Sequence, residues 1–150
     1  MPHDFKAFPE LSNSQMGVYY LESPHKQIFE DFRAKVMRVH DGDTVTLRWT
    51  ERNFDFPIRF INIASPEISE RGGIESRDWL ENKVLNAEVD IHITKENRVD
   101  KWGRLLGNVM FNGIDLGEEE IFAGHAIPWS RVKEQVPIPD FRKEMFKIWP

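Results

Sequence analysis

The chain has 150 residues, with 20 basic and 25 acidic side chains and no cysteine; this length suits one domain with its own hydrophobic core. The lack of cysteine excludes a disulfide scaffold, a thiolate metal site and a cysteine nucleophile. The formal net charge is −5 and no region is net basic, which excludes a broad basic footprint for sequence-independent duplex binding.

No apolar run approaches the ~18 residues of a membrane span. The opening MPHDFKAFPE lacks the basic start and apolar stretch of a secretory signal. A cytoplasmic protein without membrane contact is therefore expected. Residues 1–33 are punctuated by Pro9, Gly17 and Pro24 and read as irregular. Their aromatics, Phe5, Phe8, Tyr19, Tyr20, Phe29 and Phe32, argue against a disordered tail. The sequence predicts an extension that packs on the domain or on a protein partner, with the domain proper spanning 34–150.

From Ala34 the pattern becomes regular. Ala34–His40 reads as a strand, Asp41-Gly42-Asp43 as a tight turn, and Thr44–Thr50 as a strand alternating with period two. Phe56–Ile63 is a third strand. Ser65-Pro66-Glu67 carries helix-start chemistry, and Ile74–Asn86 follows as a helix, with Trp79, Leu80, Lys83 and Val84 on one face. Glu88–Thr94 and Leu105–Phe111 are further strands, and Asn112-Gly113 turns the chain. Leu116–Ala126 predicts a helix whose early glutamates suit the positive end of its dipole. Asp140–Ile148 predicts a last short helix. Five short strands with a helix after the third fit an α+β fold, an OB-type Greek-key barrel with about three helices.

Four clusters carry chemistry. Asp41-Gly42-Asp43-Thr44 sets two carboxylates beside a turn, Arg59 interrupts an apolar strand, Ser65-Pro66-Glu67 follows that strand, and Arg98–Arg104 joins two later strands. Each alone is ordinary: an Asp-Gly turn, a capped helix start, an arginine lying along apolar neighbours, a solvated loop with Trp102 in the core. Together they supply what phosphodiester hydrolysis by water requires. Carboxylate oxygens hold a hard cation. Planar guanidiniums pair bidentately with phosphate oxygens. A further carboxylate serves as general base.

These residues resemble the staphylococcal nuclease family, through VHDGDTVTL (39–47), IRFINIASPE (58–67) and NRVDKWGRLLGNVMFNGIDLGEEEIFAGHA (97–126). The resemblance runs from about Ala34 to about Trp129 and implies an OB-type barrel. It also implies a calcium-dependent phosphodiesterase acting on DNA or RNA. By position, Asp43 would bind the cation and Ser65 would offer its backbone carbonyl. Arg59 and Arg104 would clamp the phosphate, and Glu67 would orient or deprotonate the attacking water. Trp102 and Trp129 would meet the nucleotide, with Asp41, Thr44 and Asp100 in support.

One departure stands out. Where the family has an acidic residue before the Thr/Ser-Pro-Glu, this chain has Ala64. Fewer charged ligands weaken cation binding, so calcium or another divalent ion is expected to bind weakly. Water, Asn62 or Glu70 are candidates to fill the vacancy. A weak-metal nuclease, one with a different metal preference and an inactive nuclease-like module that binds single-stranded nucleic acid or protein all fit the sequence. The acidic charge favours single strands or ends as substrate. Glu118-Glu119-Glu120 reads as a solvated helix start.

Overall fold

The computed structural model describes residues 2–134, except the side chains of 133 and 134. The helix expected at 140–148 lies outside the described residues. The elements, in chain order, are α1 (Asn13–Tyr19), a short 3-10 turn (Tyr20–Glu22), β1 (Phe32–Asp41), β2 (Thr44–Arg48), β3 (Phe56–Phe60), β4 (Ile63–Ala64), α2 (Gly73–Val84), β5 (Glu88–His92), β6 (Leu105–Phe111), β7 (Ile114–Asp115), α3 (Leu116–Phe122), β8 (Ile127–Pro128) and α4 (Trp129–Glu134).

Antiparallel pairing runs β3-β2-β1-β5-β6, and a parallel pairing of β3 with β6 closes the ring into a five-stranded mixed barrel. This is the expected OB-like architecture. Buried Val36, Leu47, Ile58, Ile91 and Leu105 fill its interior. Along β1 the buried positions step from Ala34 and Val36 to Val39, a break in period two. Register shifts on either side of Arg38 and Val39 account for it, because a bulge rotates the strand and changes which face the next residues present. The Asn112-Gly113 turn joins β6 to β7 with both residues at positive φ, 52° and 78°.

Three expectations need correction. The third strand stops at Phe60: Asn62 takes φ 70°, and the chain turns before β4 pairs with β8. Asn62 is exposed in that turn, so it does not share a strand face with Ala64. Second, the extension is not wholly irregular. α1 begins at a capping box in which the Ser12 hydroxyl accepts from Gln15 N–H and the Gln15 side chain accepts from Ser12 N–H.

Third, Arg98 is buried rather than solvated. Its guanidinium donates to the carbonyls of Ile28 (2.6 Å) and Leu11 (2.9 Å) and to Glu10 Oε2 (3.2 Å). Buried Arg52 pairs with the same Glu10 carboxylate and donates to the Lys26 carbonyl at 2.8 Å. One carboxylate thus ties residues 10–28 to two arginines of the barrel, and Ile28 joins the core.

Candidate active site

The β1–β2 turn organises the site. Asp43 N–H donates to Asp41 Oδ1 at 3.0 Å, an Asx turn that fixes the loop. Gly42 is required by close approach: a Cβ there would collide with Glu120 Oε1 and lie 2.6 Å from Ser65 Cβ. Asp43 is nearly buried and accepts from Thr44 Oγ1 at 3.1 Å and from Ser65 N–H at 3.0 Å.

Arg59 faces this acid because antiparallel register sets it opposite Thr44. Its guanidinium donates to the Phe60 (2.6 Å) and Ile63 (3.1 Å) carbonyls and reaches Asp43 Oδ2 at 3.5 Å. The Trp129 ring covers it, 5.2 Å from guanidinium carbon to ring centroid. Trp129 is itself fixed by its N–H on the Asn62 carbonyl at 2.8 Å. Arg59 is therefore held by backbone and stacked, with little freedom to swing.

Glu67 is exposed on the loop after β4, where its N–H donates to Glu70 Oε1 at 2.8 Å. Gly72 has φ 86°, and a Cβ on Gly73 would run into the Glu67 carbonyl; both glycines are needed for this loop to fold back. Glu70 is exposed, and one of its oxygens helps hold the loop through this hydrogen bond.

A second group surrounds Asp100. One oxygen accepts from the N–H groups of Trp102 and Arg104, both at 2.9 Å, and the other accepts from Arg104 Nε at 2.8 Å. Trp102 is 61% exposed, not in the core, and its ring lies 5.4 Å from the Arg104 guanidinium. The extension borders this surface: Phe8 packs on Gly103 so closely that a Cβ there would sit 2.7 Å from its ring.

Residues 57–145 match the family model of staphylococcal nuclease homologues. The chain belongs to the staphylococcal nuclease family. A 79-residue stretch, 53% of the chain, is 33% identical to the micrococcal nuclease of Shigella flexneri and covers 42% of that protein. The chain thus spans less than half the length of this relative.

Of the residues singled out from the sequence, Asp41, Asp43, Thr44, Arg59, Ser65 and Trp129 gather through direct contacts at one end of the barrel, with Glu67 on the adjoining loop. Asp100, Trp102 and Arg104 form a separate cluster. Among the described residues, Arg104 hydrogen-bonds only to Asp100.

Glu120 is not marked as a site residue by any of the four motifs. It is the third acid of a run expected in solvent, yet it is 0% exposed. A signal was present: Leu116 and Glu120 stand one turn apart on α3, and the face bearing buried Leu116 turns inward. Burial first, then the carboxylates of Asp43 and Asp41, pushes Glu120 well above the usual carboxylate range. Asp41 is pushed up to about 7, again chiefly by burial and then by Asp43. The only basic side chain hydrogen-bonded to this acidic group, among the described residues, is Arg59.

No three His, Cys, Asp or Glu side chains form a ready-made metal centre among the described residues. The donor chemistry nevertheless suits a hard cation. Ser65 Oγ and both Glu120 carboxylate oxygens are buried without a hydrogen-bond partner among those residues, and calcium sites draw on mixed carboxylate, carbonyl, hydroxyl and water oxygens.

Proposed function

We propose that this family member is a divalent-cation-dependent phosphodiesterase that hydrolyses DNA or RNA by direct attack of water. The observation that carries this reading is the convergence of Asp43, Arg59 and the Ser65–Glu67 loop, each held by backbone hydrogen bonds before any substrate arrives. Preorganised charge of this kind stabilises a transition state without reorganisation cost at the moment of reaction.

In this reading Asp43 and Ser65 hold the cation, which supplies Lewis-acid polarisation of the phosphate when bound. Glu67 takes a proton from water as the water oxygen bonds to phosphorus and the bond from phosphorus to the leaving sugar oxygen breaks, that oxygen taking its proton from solvent. Arg59 donates to the non-bridging oxygens. Arg104, half-buried and held through Nε by Asp100, would do the same with its remaining guanidinium N–H groups. Trp129 and Trp102 offer ring faces to bases. The acidic net charge favours single strands or ends over intact duplex.

A second reading, a nuclease-like module that binds without cleaving, is favoured by one observation: the methyl group of Ala64 is buried beside Ser65, where a carboxylate would complete the cation site. Cleavage of a labelled single-stranded oligonucleotide by the wild type and Glu67→Gln separates the two. The enzyme reading expects cleavage that the substitution removes with the fold intact. Strand binding without cleavage in both proteins supports the module.

A further inference from the structure

We infer that Glu120, reaching in from α3, is the second carboxylate of the cation site and does the work that Ala64 cannot. The inference rests on the reading of this site as cation-dependent.

Three independent features converge on it. The first is isolation: Glu120 is 0% exposed, and neither carboxylate oxygen has a hydrogen-bond partner among the described residues. Buried polar groups are nearly always paired, and a buried carboxylate with nothing to pair it is costly unless it serves a ligand.

The second is aim. Glu120 Oε1 lies against Gly42, between Asp41 and Asp43, and the Ser65 hydroxyl would be 2.9 Å from the same Gly42 Cβ position. That hydroxyl is also buried and unpartnered. Two unsatisfied oxygen groups therefore meet over a glycine that leaves room for them, beside the carboxylate of Asp43.

The third is rigidity. Asp115 caps α3 through the N–H groups of Gly117 and Glu118, at 2.8 and 3.2 Å. Gly117 packs on Ile63, next to Ala64, where a Cβ would lie 3.2 Å from Ile63 Cγ2. Lys83 of α2 pairs with Glu119 on the neighbouring face. The helix cannot rotate to bring Glu120 to solvent without breaking these contacts. Leucine or isoleucine would fill the same space at no electrostatic cost. The site then contains two carboxylates, from Asp43 and Glu120, and the oxygens of Ser65, with water free to complete the shell of a calcium-like ion.

The test is calorimetric titration of calcium into the full chain, alongside thermal melting with calcium or chelator, for wild type, Glu120→Gln, Glu120→Leu, Glu120→Gln with Ala64→Asp, and the exposed control Glu118→Gln. Glu120→Gln and Glu120→Leu are expected to weaken calcium binding about tenfold or more. Both should melt at or above the wild-type temperature in chelator and lose the calcium-induced rise. Ala64→Asp should restore binding, and Glu118→Gln should leave it unchanged. Wild-type binding retained within twofold in Glu120→Gln and Glu120→Leu would overturn this assignment and leave the cation-dependent reading standing. A wild-type chain that binds neither calcium, magnesium nor manganese would overturn both.

Discussion

The Ser65 backbone N–H donates to Asp43 Oδ2 over 3.0 Å, joining two loops that lie 22 residues apart in the chain. The same oxygen meets the Arg59 guanidinium at 3.5 Å. The orientation of Asp43 is thus set both by the loop that carries Glu67 and by Arg59. Because the donor is backbone, Ser65 can be any residue that fits there without loosening Asp43.

Arg59→Lys tests the planar fork. Lysine keeps the positive charge but cannot donate in one plane to the Phe60 and Ile63 carbonyls while reaching Asp43. Cleavage is expected to fall by roughly a hundredfold, the scale for losing a preorganised transition-state donor. Steady-state kinetics on a single-stranded oligonucleotide, with circular dichroism to verify the fold, reads this out.

Trp102→Ala tests the exposed ring. Its side chain contributes little to the core, so the melting temperature should move by no more than a degree or two. Affinity for a single strand should weaken by about 1–3 kcal/mol, the usual worth of one stacked base. Fluorescence anisotropy of a labelled oligonucleotide measures it. Unchanged affinity would remove Trp102 from the substrate surface.

Glu10→Gln tests how the extension is anchored. The substitution leaves the buried guanidiniums of Arg52 and Arg98 without their shared counter-ion. Breaking one partner of a buried ionic group costs on the order of 3–5 kcal/mol. Urea unfolding should show the lost stability directly. A change under 1 kcal/mol would mean that the ionic anchor is not what holds residues 10–28 on the barrel.

The extension should also carry a pH response. His25 packs on the rings of Phe54 and Phe5, at 4.9 and 6.1 Å between centroids. Burial holds it below its ordinary value of 6.5, with Arg52 adding to the effect and the Lys26 carbonyl and Glu10 opposing it. A lowered folded value means that the unfolded chain takes up the proton more readily. The stability from neutral His25 is complete above pH 6.5 and drains as pH falls below it. His40 and His125, also lowered by burial, act in the same direction. Asp41 and Glu120, raised by burial, pull the other way, since the folded chain takes up their protons first as pH falls. His25→Asn should therefore shift the change in melting temperature between pH 7.5 and 5 upward relative to the wild type. An unchanged slope would contradict this account.

The barrel was legible because its strands alternate in period two and its turns carry Asp-Gly and Asn-Gly. What the sequence hid depends on contacts distant along the chain. Arg98 looks like a loop residue until Ile28 and Leu11, 70 and 87 positions away, offer it their carbonyls. The end of β3 at Phe60 rests on a left-handed Asn62, which local pattern does not mark. α1 carried its Ser12–Gln15 capping box openly but buries none of its residues, so no apolar stripe announced it. The residues of the site were legible as motifs, yet their grouping was not: Arg104 belongs with Asp100 and Trp102, and Arg59 with Asp43. Glu120 hid among three glutamates: its spacing from Leu116 was the one local sign of burial, and its approach to Gly42 and Ser65 comes from distant parts of the chain.

The most direct test of the central claim is cleavage of a labelled single-stranded oligonucleotide by the wild type and Asp43→Asn, each with calcium, magnesium, manganese or chelator. Cleavage that needs a divalent cation, stops with chelator and falls at least about a hundredfold in Asp43→Asn is the predicted result. Cleavage that persists in chelator, or none with any cation at high protein concentration, would contradict it.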